Sequence, residues 1–270
     1  MAVHATSYLF VPASRPERFA KALAAGADSV IIDLEDAVAV EDKDSALRHL
    51  LTALEDGLDK PVHVRINAAD SPWFDRDIEA LAALSERARK SLAGVFVPKA
   101  EYADHIERVR TVVDGDVIAL VESAVGVSRL RELASVPGIT RLAVGAADLS
   151  FDLDVEIRSS TIDHVYAQLV IESRLAGLPG PVASPPFSIS DLDAVGADAE
   201  RLRGLGATAQ LSIHPAQLPA IHAGFRPDDA QIEWARRVLA AEEGGAAQVD
   251  GQMVDKPVRE RAERILAQAK

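Results

Sequence analysis

The sequence predicts an α/β fold, a closed TIM (β/α)8 barrel with a C-terminal helical extension, from two observations. Eight short apolar runs alternate with helix-like stretches, and the runs end in polar or ionisable residues. Parallel barrels bury both faces of their strands and gather their reactive groups at the C-terminal strand ends. Length agrees, because 270 residues accommodate one barrel of about 250 residues and a short extension.

The runs are Tyr8 to Ala13, Ser29 to Asp36, Pro61 to Asn67, Gly94 to Lys99, Asp116 to Glu122, Thr140 to Asp148, Leu178 to Ser184 and Ala207 to His214. Within them Val30-Ile31-Ile32 and Val117-Ile118-Ala119-Leu120-Val121 are apolar on successive residues, as strands covered on both faces require. Helical stretches are expected over Arg15 to Ala25, Val40 to Leu54, Asp75 to Leu92, Tyr102 to Val113, Val125 to Ala134, Ile157 to Ala176 and Asp191 to Leu205. Ala-rich or helix-spaced apolar residues, with Gly or Pro closing several of them, carry these assignments. Beyond the eighth run come Gln217 to Ala223, Asp228 to Glu242 and a last helix through Ile265 that Pro257 starts. The chain thus divides into a barrel over 7–223 and a helical arm over 224–270. The glycine-led stretch from Gly244 to Pro257 reads either as a solvated tail or as a lid or arm reaching a neighbouring subunit.

Composition narrows the chemistry. Hydrophobic residues make up 48% of the chain and charged residues 26%, the balance of a globular enzyme rather than a disordered chain. No apolar run approaches the ~20 residues of a membrane span. Met1 to Thr6 lacks a basic-then-apolar secretion pattern, so no membrane association and a cytoplasmic location are expected. The absence of cysteine removes disulfides, thiolate metal sites and cysteine nucleophiles together. A net charge of −13 argues against nucleic acid, whose phosphates need clustered Lys and Arg. An anionic small molecule remains open, held by local cations or a divalent metal.

Glu122 and Asp148 end consecutive runs, and neighbouring strands lie roughly 4.8 Å apart. Two such carboxylates suit Mg2+, with water and substrate oxygens completing the shell; a helix N-cap or a surface carboxylate is the competing reading for either alone, more so for Asp148. Asp33, Glu35 and Asp36 are candidates to orient metal-bound water, although alternation sends Asp36 to the face opposite the other two. Arg65 stands where a core residue is expected, and either grips a substrate carboxylate in a two-pronged manner or pairs with Glu35 or Asp33. Lys99 is open to a Schiff-base role, but surrounding carboxylates favour an ammonium engaged in ion pairing or substrate binding. His214 either binds an anion or caps the next turn. Zinc-ligand spacing, a Walker loop, a GxSxG elbow and a dinucleotide fingerprint are absent.

Seven motifs in order carry a family resemblance. They are Leu9-Phe10-Val11-Pro12-Ala13-Ser14-Arg15-Pro16-Glu17-Arg18, Asp33-Leu34-Glu35-Asp36-Ala37-Val38, Val64-Arg65-Ile66-Asn67, Val97-Pro98-Lys99-Ala100-Glu101, Leu120-Val121-Glu122-Ser123, Gly145-Ala146-Ala147-Asp148-Leu149 and Ile213-His214-Pro215-Ala216-Gln217. From about Tyr8 to Ile265 the chain resembles the citrate lyase β-subunit-like enzymes of the HpcH/HpaI aldolase and citrate lyase family, which includes malyl-CoA and citramalyl-CoA lyases. The resemblance implies a homotrimer that uses Mg2+ to cleave or form a carbon–carbon bond in a short 3-hydroxyacyl-CoA thioester, exchanging an acyl-CoA and a 2-oxo acid. It makes Glu122 and Asp148 the metal ligands, Arg65 the holder of the oxo-acid portion, and Ser14, Arg15 and His214 neighbours of the CoA. Asp255 becomes an acid/base delivered from the adjacent subunit. Two departures stand out: Ala147 where the family often has an acidic residue, and Ala183-Ser184-Pro185 where many relatives have an Asp-Gly-Pro-like sequence. Other readings are a metal-dependent aldolase of free 2-oxo acids, a Schiff-base aldolase through Lys99, and a non-catalytic subunit of a larger lyase complex.

Overall fold

Strand pairing runs in chain order around a closed parallel barrel in the computed structural model, which describes residues 5–241 and 248–269. The first half comprises β1 (Ser7–Pro12), α1 (Phe19–Leu23), β2 (Ser29–Asp33), α2 (Lys43–Asp56), β3 (Val62–Arg65), α3 (Phe74–Ala82), α4 (Glu86–Ser91), β4 (Leu92–Val97) and α5 (Ala103–Arg110). The second comprises β5 (Asp116–Val121), α6 (Ala124–Ser128), α7 (Leu130–Ala134), β6 (Arg141–Val144), α8 (Ala146–Asp152), α9 (Ser160–Leu175), β7 (Val182–Ala183), α10 (Leu192–Leu205), β8 (Ala209–Ser212) and α11 (Leu218–Phe225). Pairing of β1 with β8 closes the sheet. The TIM-barrel expectation is met.

Alternation along the strands builds two cores. Tyr8, Ile31, Phe96, Ile118, Leu120, Ala143, Val182, Ala209 and Leu211 fill the barrel interior. The intervening residues, among them Ile32, Val64, Val95, Val117 and Val144, pack outward against the helices. Since successive side chains point to opposite faces, Asp33, Arg65 and Glu122 follow the interior rows set by Ile31, His63 and Leu120. At the opposite end, buried Arg141 donates to the carbonyls of Gly180 and Ala5, to Tyr8 Oη and to Thr208 Oγ1, closing the barrel floor.

Several boundaries differ from the sequence reading. The stretch from Asp75 to Leu92 is broken between α3 and α4, where the Ser85 side chain accepts the Ala88 N–H and starts a new helix. Val125 to Ala134 divides at Arg129 into α6 and α7. The seventh strand shrinks to Val182–Ala183, because Pro181 and Pro185 flank it and neither has an N–H for the ladder.

The arm is a helical pair joined by a small hairpin. It contains α12 (Asp229–Ala240), antiparallel β9 (Gln248–Val249) and β10 (Gln252–Met253), and α13 (Lys256–Gln268). Ala235, Val238 and Ala262 form its own buried centre, and Arg237 pairs with Asp250 at 2.7 Å. Pro257 occupies the first turn of α13 as expected. Residues Met1 to His4 and 242–247, on which the N-terminal and glycine-linker readings partly rest, lie outside the described residues. No described helix is long and apolar enough to cross a membrane.

Candidate functional site

Register brings the first two site residues together. Asp33 on β2 is the direct parallel neighbour of Arg65 on β3, and the guanidinium donates to both Asp33 oxygens, Nε to Oδ1 at 2.7 Å and Nη2 to Oδ2 at 2.6 Å. Arg65 Nη1 also lies 3.0 Å from Glu35 Oε2, close enough for charge attraction but not aligned as a hydrogen bond. Phe10 packs against the guanidinium, 4.7 Å from ring centre to Cζ. The ion pair expected for Arg65 is therefore present. Arg65 also lines the smaller of the two cavities at this end of the barrel.

The turn after β2 places a second acidic pair. Asp33 accepts the N–H groups of Glu35 and Ala37, which ends the strand and turns the chain. Strand alternation no longer applies past Asp33. Asp36 accordingly reaches the same cations as Glu35, contrary to the opposite-face expectation: its oxygens lie 3.9 Å from Arg65 and 3.7 Å from Lys99. Lys43, a residue the sequence reading missed, holds this turn. Its buried ammonium donates to the carbonyls of Leu34 and Glu35 and to Asn67 Oδ1 at 2.6 to 2.8 Å, while Asn67 is anchored on Asp77. The available signal was a lysine at the start of α2, just after the acidic motif.

Lys99 follows β4 with φ of 45°, a left-handed conformation rarely adopted by a lysine. That backbone aims its N–H at Glu122 Oε2, 2.9 Å away, and its Nζ meets Glu35 Oε1 at 3.0 Å. Burial opposes the lysine's charge, but Glu35 and Asp36 outweigh it and hold the ammonium above its usual range. Lys99 is thus ion-paired, as one of its two readings expects.

Glu122 sits at the end of the β5 inward row, 6% exposed. Burial first, and then the charge of Glu35, push its carboxyl up to about 8; burial raises Glu35 to about 7. Gly145 makes room for it, because a Cβ there would lie 2.1 Å from Glu122 Oε1. Asp148 is not the last strand residue but lies in the first turn of α8, whose N-cap position is Gly145. The N-cap reading of Asp148 is thereby set aside. Ser184, one of the two departures, fixes the start of α8: its hydroxyl donates to the Val144 carbonyl and accepts the Ala146 N–H at 2.6 Å.

Two cavities meet at Glu122, Asp148 and Asp36. The smaller, about 190 Å³, includes Arg65, Asp33, Phe10, Leu120, Leu211 and Ile213 in its wall. The larger, about 610 Å³, includes Lys99, Asp70, Tyr102, Ser123 and Phe151. Around their junction five carboxyl groups, Asp33, Glu35, Asp36, Glu122 and Asp148, face two cations, Arg65 and Lys99. A partly buried mouth rich in carboxyl groups suits a divalent cation. Among the described residues no group of three His, Cys, Asp or Glu is placed to hold a metal, yet Mg2+ commonly takes one or two carboxylates and completes its shell with water and substrate. An all-oxygen pair, one member buried in a cradle that a Cβ would fill, fits that ion.

The other expected residues lie away from this junction. Ser14 and Arg15 follow β1 at the same end of the barrel, and Arg15 pairs with Glu17 at 2.9 Å on the surface. His214 caps the turn formed by Pro215–Gln217, its Nδ1 accepting the Ala216 N–H, as one of its two readings expects. Asp255 caps α13 by accepting the Val258 N–H at 3.0 Å and lines neither cavity of its own chain.

A closed parallel barrel with carboxylates and an arginine gathered at its C-terminal end is the framework of a TIM-barrel enzyme. The HpcH/HpaI aldolase/citrate lyase family model matches residues 6–215. The chain belongs to that family of carbon–carbon lyases and aldolases. It is 39% identical over 274 residues to a citrate lyase subunit beta-like protein of Mycobacterium tuberculosis, covering 97% of this chain and 94% of the relative. A (3S)-malyl-CoA thioesterase of Cereibacter sphaeroides is 34% identical, with 97% and 94% covered. The crystal structure of CitE from M. tuberculosis in complex with magnesium, acetoacetate and coenzyme A superposes with a TM-score of 0.86 at 35% identity, covering 100% of this chain and 99% of that one.

Proposed function

We propose that this chain is a Mg2+-dependent carbon–carbon lyase that splits a short carboxylate-bearing 3-hydroxyacyl-CoA into an acyl-CoA and a 2-oxo acid, or joins the two. One observation carries the reading: Glu122 and Asp148, an all-oxygen pair, stand together at the junction of the two cavities, beside the Arg65 guanidinium that Asp33 holds in place. Glu122 and Asp148 would hold the cation, which would supply Lewis-acid stabilisation of negative charge on the substrate's hydroxyl oxygen in cleavage and would polarise the oxo group in the reverse direction. Arg65, kept rigid by Asp33, would donate its remaining N–H groups to the oxo-acid end. Glu35 and Asp36 position Arg65 and Lys99 rather than touching the reacting carbons.

In cleavage, a base takes the hydroxyl proton, the carbon–carbon bond breaks toward the thioester, and the resulting enolate takes a proton at carbon. In the reverse direction a base removes a proton from the acyl-CoA methyl group. We assign that exchange to Asp255, delivered from the arm (224–270) of an adjacent chain to the barrel (7–223) of its neighbour in a homotrimer. Ser14, Arg15 and His214, at the same end of the barrel, are the proposed CoA-side contacts.

Thioester hydrolysis is the competing reading, because a relative carries that activity in its name. Mass spectrometry of the purified protein with Mg2+ and acyl-CoAs, each offered with glyoxylate, pyruvate or oxaloacetate, separates them. A lyase yields a condensed 3-hydroxyacyl-CoA, whereas a thioesterase yields free CoA and no new carbon–carbon bond. No condensed product from any pair would overturn the proposal.

A further inference from the structure

We propose that Gln217 is a positioning residue of the reaction site: its buried carboxamide clamps the loop after β7 to the turn after β8, and so fixes Phe187 and Ile213 in the wall of the smaller cavity. The inference rests on the lyase reading, which puts the oxo-acid end in that cavity beside Arg65. Gln217 lines neither cavity itself. It acts through the residues it holds.

The sheet cannot join these two loops. The last rung between β7 and β8 pairs Ala183 with Gln210, and Pro185 and Pro186 have no N–H with which to extend the ladder. Phe187 and Ile213 nonetheless line the smaller cavity while 59% and 44% exposed, so packing alone does not fix them. Gln217 supplies the missing rungs. Its Nε2 donates to the carbonyls of Pro186 at 2.8 Å and Ser188 at 2.9 Å, the residues on either side of Phe187. Its Oε1 accepts the N–H of Ile213 at 3.0 Å, the N–H of His214 at 3.1 Å and the Ser212 hydroxyl at 3.0 Å. Backbone N–H groups on one side and carbonyls on the other leave the carboxamide a single orientation, and the residue is fully buried. Ser184, at the start of the same loop, is tied down separately. It is held by Tyr166 Oη, the Val144 carbonyl and the Gln210 side chain, so α8 and its Asp148 do not depend on the clamp.

Gln217→Glu separates the two halves of the clamp. The carboxylate still accepts from Ser212, Ile213 and His214, but its second oxygen repels the Pro186 and Ser188 carbonyls. With thermal melting confirming that the full chain folds, chymotrypsin should cut the Phe187–Ser188 bond at least about tenfold faster than in the wild type, because cleavage follows local opening. Calorimetric titration of pyruvate into the Mg2+-loaded variant should show at least about tenfold weaker binding, while Mg2+ affinity stays within about twofold of the wild type. If the buried charge unfolds that variant, Gln217→Asn, neutral and one methylene too short to span both loops, takes the same measurements. Failure of both to fold would overturn the inference, because Gln217 would then be a requirement of the fold rather than of the site. Unchanged cleavage or unchanged pyruvate affinity in a folded variant overturns it, as does Mg2+ affinity that falls as far as that of pyruvate. Loaded wild-type protein that binds no pyruvate would defeat the lyase reading instead, and the cleavage rate, which needs no ligand, would still decide the clamp.

Discussion

Gly145→Ala tests whether the Glu122 carboxylate is held in a cradle of fixed size. An alanine Cβ would sit 2.1 Å from Glu122 Oε1, 2.6 Å from Cγ and 2.8 Å from Cδ. Ordinary contact begins near 3.4 Å, so the carboxylate must retreat by more than an ångström. It has little freedom to do so, because Oε2 is held 2.9 Å from the Lys99 N–H and the side chain is buried. The backbone at Gly145, with φ of −100° and ψ of 83°, does not require glycine, so the effect is one of contact alone. Overpacking of this kind costs about 1–3 kcal/mol of stability, and a displacement of this size at a reacting group costs about 100-fold in rate. The variant should melt a few degrees lower, at roughly 2–4 °C per kcal/mol for a chain of this order. Mg2+ affinity by calorimetry and kcat/KM should fall together by about 100-fold. A lower melting temperature with unchanged Mg2+ affinity and kcat/KM would refute the reasoning, because it would show that Glu122 can move freely without consequence.

Arg65→Lys should lower kcat/KM by about 100-fold or more, since an ammonium cannot reproduce the fork on Asp33 or offer a second pair of donors to substrate; near-normal steady-state kinetics would make Arg65 purely structural. Mg2+ affinity should rise with pH and level off above about 8, because burial pushes the Glu122 carboxyl up to about 8 and the ion needs the carboxylate. In the metal-free protein the raised carboxyl acts in the opposite sense: the unfolded chain releases this proton near 4.5 and the folded one near 8, so Glu122 lowers stability as pH rises through that window. Glu122→Gln should flatten both profiles, as Mg2+ titrations and thermal melts in parallel would show. Asp255→Asn should keep α13 capped, since asparagine serves that position as well as aspartate, yet abolish turnover. Co-assembled with inactive Glu122→Gln chains it should recover part of the activity, and no recovery in verified mixed oligomers would place Asp255 outside a shared site.

The parts of the molecule legible in the sequence were those written as local periodicity. Eight apolar runs became eight barrel strands, and Arg65 and Glu122 were visible because each breaks an otherwise apolar strand where a core residue belongs. Asp36 was misread because alternation was carried beyond Asp33, where two backbone N–H groups close onto the Asp33 carboxylate and the strand ends. Lys43 was invisible for a different reason: three acceptors drawn from two distant segments are what allow its burial. Gly145 belongs with it, since the need for glycine comes from a side chain on the adjacent strand. The shortening of the seventh strand, by contrast, was available from Pro181 and Pro185.

The central claim is that a mouth with five carboxyl groups around two cations admits an anionic oxo acid only through a divalent cation held by Glu122 and Asp148. Calorimetric titration of pyruvate into the protein, first stripped by a chelator and then saturated with Mg2+, tests it directly. Binding should be undetectable without the ion and clear with it, and should vanish again in Glu122→Gln and Asp148→Asn under the same Mg2+ concentration. Pyruvate bound equally well with and without Mg2+, or bound normally by both variants, would contradict the account.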